Sequence, residues 1–151
     1  MTKETVHATI VVERDYPFSP ERVFAAYANA DAYRQWHAAS GVTHELTYEF
    51  RAGGRLATTF GSKDGPKFHS EGHFEDIVPN ERIVSAGSMH GFGHRSSSTL
   101  CTVELRAHNG GTHLTLTDQS VYYAGETPQM RNEGWNGILD TLGSFLQRKA
   151  A

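Results

Sequence analysis

The chain closes on TPQMRNEGWNGILDTLGSFLQRKA. Within it Trp135, Ile138, Leu139, Leu142, Phe145 and Leu146 recur at intervals of three and four, which puts them on one face of an α-helix. Thr127 suits the cap, and Pro128 suits the first turn, where a missing N–H is no loss. A long helix with one oily side must lay that side against an equally apolar surface. Which part of the chain can supply that surface decides the fold.

Strands supply it. Thr5–Arg14 alternates, with Val6, Ala8, Ile10 and Val12 on one side and His7, Thr9 and Glu13 on the other. Ser19 and Pro20 then read as cap and first position of a short helix carrying Val23, Phe24 and Tyr27. Asn29 breaks it, and a second short helix over about 31–36 brings Tyr33 and Trp36 to one side. From there to Tyr123 the chain is a strand meander. Leu46, Tyr48 and Phe50 alternate, as do Leu56, Thr58 and Phe60 beyond Gly53-Gly54. That glycine pair is expected to be a tight hairpin needing positive φ, rather than bare backbone held for a ligand. Phe68–Val78 and Arg82–His90 flank the turn VPNER, and Ser96–His108 and Thr112–Tyr123 flank NGG, the strongest hairpin signal present.

The order is strand, two short helices, six strands and one long helix, an α+β arrangement with an antiparallel sheet. A sheet curved around one helix leaves a cleft suited to a small molecule. The chain's 151 residues suit one domain, 1–151, with a core that needs no staples. One cysteine excludes an internal disulfide, and a net charge of −3 without Lys/Arg clusters argues against nucleic acid. No signal peptide or membrane-length apolar run is evident, so a soluble, cytoplasmic protein is expected, with no membrane partner.

Several residues bear on chemistry. On the expected inner faces lie Thr99, Cys101, Asp118, Ser120 and Tyr122. Arg131 falls within the helix's apolar stripe; it either snorkels to water or lines the pocket mouth, meeting an acidic ligand group or pairing with Asp118. Asp118 is either a polar anchor or general base in the cavity, or is turned outward by a bulge or strand end. Trp36, Phe60, Tyr122, Tyr123 and Trp135 suit core and cavity wall alike. The nine histidines include His69/His73 and His90/His94. On a strand, residues four apart lie about 13 Å apart, too far to share an ion. Gly72 and the Gly-Phe-Gly run around Phe92 disfavour helix there, so no metal site is expected; His90 is the histidine suggested as a proton carrier. Cys101 reads as a small buried hydrophobe rather than a nucleophile. Gly134 and Gly143 sit at the stripe's edges, which fits close approach or spare cavity volume; Gly137 has no evident role.

The segments SPERVFAAYANADAYRQW, YEFRAGGRL, GHFEDIVPNERIV, GGTHLTLTDQS and GWNGILDTLGSFL, in this order over nearly the whole chain, resemble a known group. It comprises the stand-alone bacterial domains related to the C-terminal domain of the activator of Hsp90 ATPase. These belong to the START-like, Bet v 1-like (SRPBCC) superfamily. The resemblance implies a helix-grip fold, a seven-stranded antiparallel sheet wrapped around the C-terminal helix. It also implies a hydrophobic small molecule as partner; no cofactor is expected. The primary expectation is a binding module for an apolar, optionally acidic molecule, with Trp36, Phe60, Thr99, Cys101, Asp118, Ser120, Tyr122, Arg131 and Trp135 as ligand-binding residues. The alternatives are a cyclase- or hydrolase-like enzyme using Asp118, a histidine and tyrosine hydroxyls, and a chaperone-activator module. No nucleophile–base pair and no docking patch outside the core support those two. Monomer and homodimer both stay open.

Overall fold

The computed structural model describes residues 4–38, 42–91 and 93–150; Phe92, the centre of the Gly-Phe-Gly run, lies outside them. The elements are β1 (Val6–Tyr16), α1 (Pro20–Ala28), α2 (Ala30–Trp36), β2 (Val42–Tyr48), β3 (Arg55–Gly61), β4 (Lys67–Val78), β5 (Arg82–Gly91), β6 (His94–His108), β7 (Gly111–Tyr122) and α3 (Pro128–Ala150). The strands form one seven-stranded sheet in the order β1-β7-β6-β5-β4-β3-β2, every neighbouring pair antiparallel. This is the helix-grip architecture expected from the alternation and from the terminal stripe.

Local chemistry sets the boundaries. Ser19 Oγ accepts from Arg22 N at the start of α1. Asn29 ends α1 and caps α2, its Oδ1 accepting from Ala32 N. Thr127 Oγ1 accepts from Met130 N as α3 begins. Asn109 and Gly110 both hold positive φ, 48° and 80°, the two left-handed positions of a tight hairpin turn between β6 and β7.

The glycine pair has two causes. Gly53 carries φ +80°, as a tight turn demands, but Gly54 does not. A Cβ on Gly54 would lie 1.9 Å from the Glu49 carbonyl oxygen, so here the chain's own backbone claims the space. Gly53 N donates to Phe74 O and Phe74 N to Gly54 O, tying this turn to β4.

The core lies between the sheet's inner face and the helices. Ile10, Val12 and Tyr16 of β1, Leu114 and Leu116 of β7, and Leu139, Leu142, Phe145 and Leu146 of α3 are all buried in it. Tyr16 Oη donates to Leu139 O at 2.6 Å, and Arg14 meets Asn136 and Asp140, clamping the middle of α3 to β1. Gly143 permits this approach, since a Cβ there would stand 3.1 Å from Tyr16 Cε1. The helix is thus held against one edge of the sheet, and space is left over β3–β6.

Candidate functional site

That space is a cavity of about 350 Å³. Its floor crosses the strands on the small residues Gly72, Ser85, Gly87, Thr99 and Cys101, in two rows that run on beyond it to Ser120 and Asp118. In register, Leu56 pairs with Gly72, Gly72 with Gly87, Gly87 with Thr99, and Thr99 with Ser120. The next row runs Phe74, Ser85, Cys101, Asp118. A Cβ on Gly72 would lie 1.9 Å from Ala86 O and 2.6 Å from Gly87 Cα, so the close approach of β4 and β5 here requires glycine. Met130, Gly134, Trp135 and Ile138 of α3 form the opposite wall.

One end of the cavity is aromatic. The rings of His37, Tyr33, Tyr48 and Phe50 stack in sequence, with centroids 4.5, 4.3 and 5.8 Å apart. Trp36 meets Tyr33 edge-on and Phe60 meets His37 edge-on. Trp36 Nε1 is committed to Ala26 O, and Tyr48 Oη to Tyr27 O, so these groups fix the wall. Burial pushes the Tyr33 phenol up, and pushes His37 down to about 4, leaving a neutral imidazole at neutral pH.

The other end is polar and centres on Arg131, which is 8% exposed. Its Nε donates to Glu126 Oε2 at 2.6 Å, its Nη1 to Asp118 Oδ2 at 2.9 Å and Thr99 Oγ1 at 2.6 Å, and its Nη2 to Ser97 Oγ at 2.5 Å. The guanidinium also stands over the Tyr122 ring, 5.5 Å from its centroid. Burial opposes the Arg131 charge, but Glu126 and Asp118 outweigh it, and its pKa is raised. Asp118 also accepts from Trp135 Nε1 at 2.6 Å and from Ser120 Oγ. Glu126 Oε1 accepts from Ser96 and Ser97.

The candidate residues therefore separate. Trp36, Phe60, Thr99, Cys101, Arg131 and Trp135 line the cavity; Asp118, Ser120 and Tyr122 are not among its lining residues and sit behind it as partners of Arg131. The snorkelling alternative for Arg131 and the outward-turned alternative for Asp118 are both corrected: a cation and a carboxylate bury each other. Burial, with Asp118 adding to it and Arg131 opposing, pushes the Cys101 thiol up to about 12. It stays protonated and unreactive at neutral pH.

His90 and His94 do not share a strand: His90 lies on β5 and His94 on β6, where His94 pairs opposite Gly91. Of the four histidines in those two spacings, His69 and His90 are the close pair, across β4 and β5, ring centroids 5.5 Å apart, beside Glu71. Among the described residues no group of three or more His, Cys, Asp or Glu is placed to hold a metal ion. No helix there is long and apolar enough to cross a membrane.

Among the lining residues that the sequence did not single out are His37, Tyr48 and Glu126. His37 follows Tyr33 by four residues, the helical stacking interval, which was a usable signal. Glu126 lies in the loop before α3, where no periodicity marks which way a side chain turns.

The family described as Activator of Hsp90 ATPase homolog 1-like protein matches residues 17–147. The comparison with curated proteins gives no match. Among solved structures, a protein from Rhizobium leguminosarum is 35% identical, with a TM-score of 0.90 over 98% of this chain and 99% of that one. A protein from Rhizobium loti is 36% identical, with a TM-score of 0.85 over 94% and 99%. An AHSA1-like protein from Aeromonas hydrophila, 24% identical, shares the fold at a TM-score of 0.74 over 95% and 94%.

Proposed function

We propose that this chain, which belongs to the activator of Hsp90 ATPase homolog 1-like family, binds a small, largely apolar molecule between its sheet and α3. The observation carrying this is the cavity of about 350 Å³, aromatic at one end and floored by glycine and other small residues. Its volume falls in the roughly 300–1,000 Å³ range of small-molecule pockets. A core meant only for stability would close such a void, because each buried gap forfeits packing contacts.

Catalysis with Asp118 as base draws no support from its position, since the carboxylate is fully buried and holds donors from Arg131, Trp135 and Ser120. The test of binding is a thermal-shift and amide-NMR titration with uncharged one- and two-ring aromatics, alongside native mass spectrometry of the purified chain. Shifts confined to cavity residues are expected. If no compound moves them, the binding role fails; stimulation of an Hsp90-type ATPase by the same sample would then favour the chaperone-activator alternative.

A further inference from the structure

We infer that the polar end of the cavity selects ligands presenting a hydrogen-bond donor, either uncharged or cationic, and turns carboxylates away. This rests on the ligand-binding role proposed above and specifies its chemistry. Arg131 on the cavity wall would ordinarily attract an anion. Here its charge is already met twice, by Glu126 at Nε and by Asp118 at Nη1. One cation against two carboxylates leaves the cluster one negative charge in excess. The lining among the described residues contains no lysine and no second arginine to offset it.

The hydroxyl protons of Ser96, Ser97, Thr99 and Ser120 are committed as well. Ser120 donates to Asp118, so the bond between Thr99 and Ser120 takes the Thr99 proton. Ser97 donates to Glu126, and Ser96 donates to Glu126 or Met89 O. Arg131 keeps one N–H, since Nη2 carries two and donates to Ser97, and the carboxylates keep acceptor capacity. A carboxylate offers about four lone-pair sites. Glu126 Oε2 takes one bond, from Arg131 Nε, and Glu126 lines the cavity while 12% exposed. A ligand hydroxyl, amine or ammonium reaching this end meets an acceptor. A ligand carboxylate meets excess negative charge in a site with little water to screen it.

The test uses four probes of one ring system: 2-naphthol, 2-naphthylmethylammonium, 2-methylnaphthalene and 2-naphthoate. They compete with the uncharged dye N-phenyl-1-naphthylamine at about pH 7.5, where the acid is ionised and the amine charged. The Trp135 indole NMR signal reports occupancy. Naphthol and the ammonium are expected to compete at least about tenfold better than naphthoate, and Glu126→Gln to shrink that ratio below about threefold. If naphthoate equals or beats naphthol in the native chain, the selection is refuted while binding stands. If neither dye nor probes move the indole signal, the binding role falls and takes this inference with it. The native-chain ratio decides even if the variant does not fold.

Discussion

Arg131 Nη1 donates to Asp118 Oδ2 at 2.9 Å, with the two side chains 8% and 0% exposed. A pair this deep recovers its desolvation cost only while intact. Arg131→Met would leave two buried carboxylates without their cation and is expected to cost about 3–5 kcal/mol. Adding Asp118→Asn and Glu126→Gln removes the stranded charges and is expected to restore at least about 1 kcal/mol. Urea denaturation of the two variants measures both steps. A single variant within about 1 kcal/mol of the native chain would show that the cluster does not hold α3 to the sheet.

His37 gives stability a dependence on acidity. Its ordinary value is 6.5, and burial lowers it to about 4 in the folded chain. Between those values the unfolded chain binds the proton and the folded chain resists it. The contribution is therefore whole above pH 6.5, declines as pH falls towards 4, and is flat below. A shift of that size corresponds to roughly 3 kcal/mol. His37→Gln is expected to remove this part of the slope, seen as urea midpoints that change less between neutral and acidic buffer. Equal slopes in both chains would place the loss elsewhere.

His113 has the opposite sign. Nδ1 lies 2.7 Å from Asp15 and Nε2 lies 2.9 Å from Glu13. Hydrogen bonds to Asp15 and then Glu13 raise its pKa, and the bond to His113 lowers that of Asp15. The histidine's contribution is present below its ordinary value of 6.5 and disappears as pH rises through the raised one. The Asp15 contribution is present above 3.8 and lost as pH falls through the lowered value. Imidazole NMR titration should find His113 losing its proton at higher pH than a free histidine, and Asp15→Asn should bring that midpoint down. A midpoint indifferent to Asp15→Asn would break the assignment.

Elements were legible because their signals are local. The stripe from Trp135 to Leu146 and the alternation of β7 each depend on one periodicity, and both appear as expected. The inner faces of β6 and β7 were also correctly assigned, from Cys101 and Asp118 outwards. Depth was not legible. Thr99 and Ser120 face each other in the register, yet only Thr99 reaches the cavity, because Arg131 and Trp135 of α3 close over Asp118 behind it. That depends on where a helix crosses a sheet, which no spacing within either element records. Glu126 shows the same limit, since its direction is set by Ser96, Ser97 and Arg131 from two other elements.

Three glycines on the helix and floor should respond differently to alanine. Gly134 is inside α3, and an added Cβ meets nothing within 4 Å. Gly134→Ala is expected to stabilise by about 0.5–1 kcal/mol through reduced freedom of the unfolded chain. Since Gly134 also lines the cavity, Gly134→Leu should instead occupy ligand space and weaken dye binding. Gly143→Ala brings a Cβ to 3.1 Å from Tyr16 Cε1, a ring pinned by its bond to Leu139, so its helix gain should be offset. Gly72→Ala drives a Cβ to 1.9 Å from Ala86 O, and backbone on both strands must move. A cost of about 1–3 kcal/mol is expected there, the size of other overpacking changes. Urea midpoints rank the three alanine variants. Gly72→Ala proving as stable as Gly134→Ala would mean that the β4–β5 crease relaxes freely, and the cavity floor would then not be fixed by its glycines.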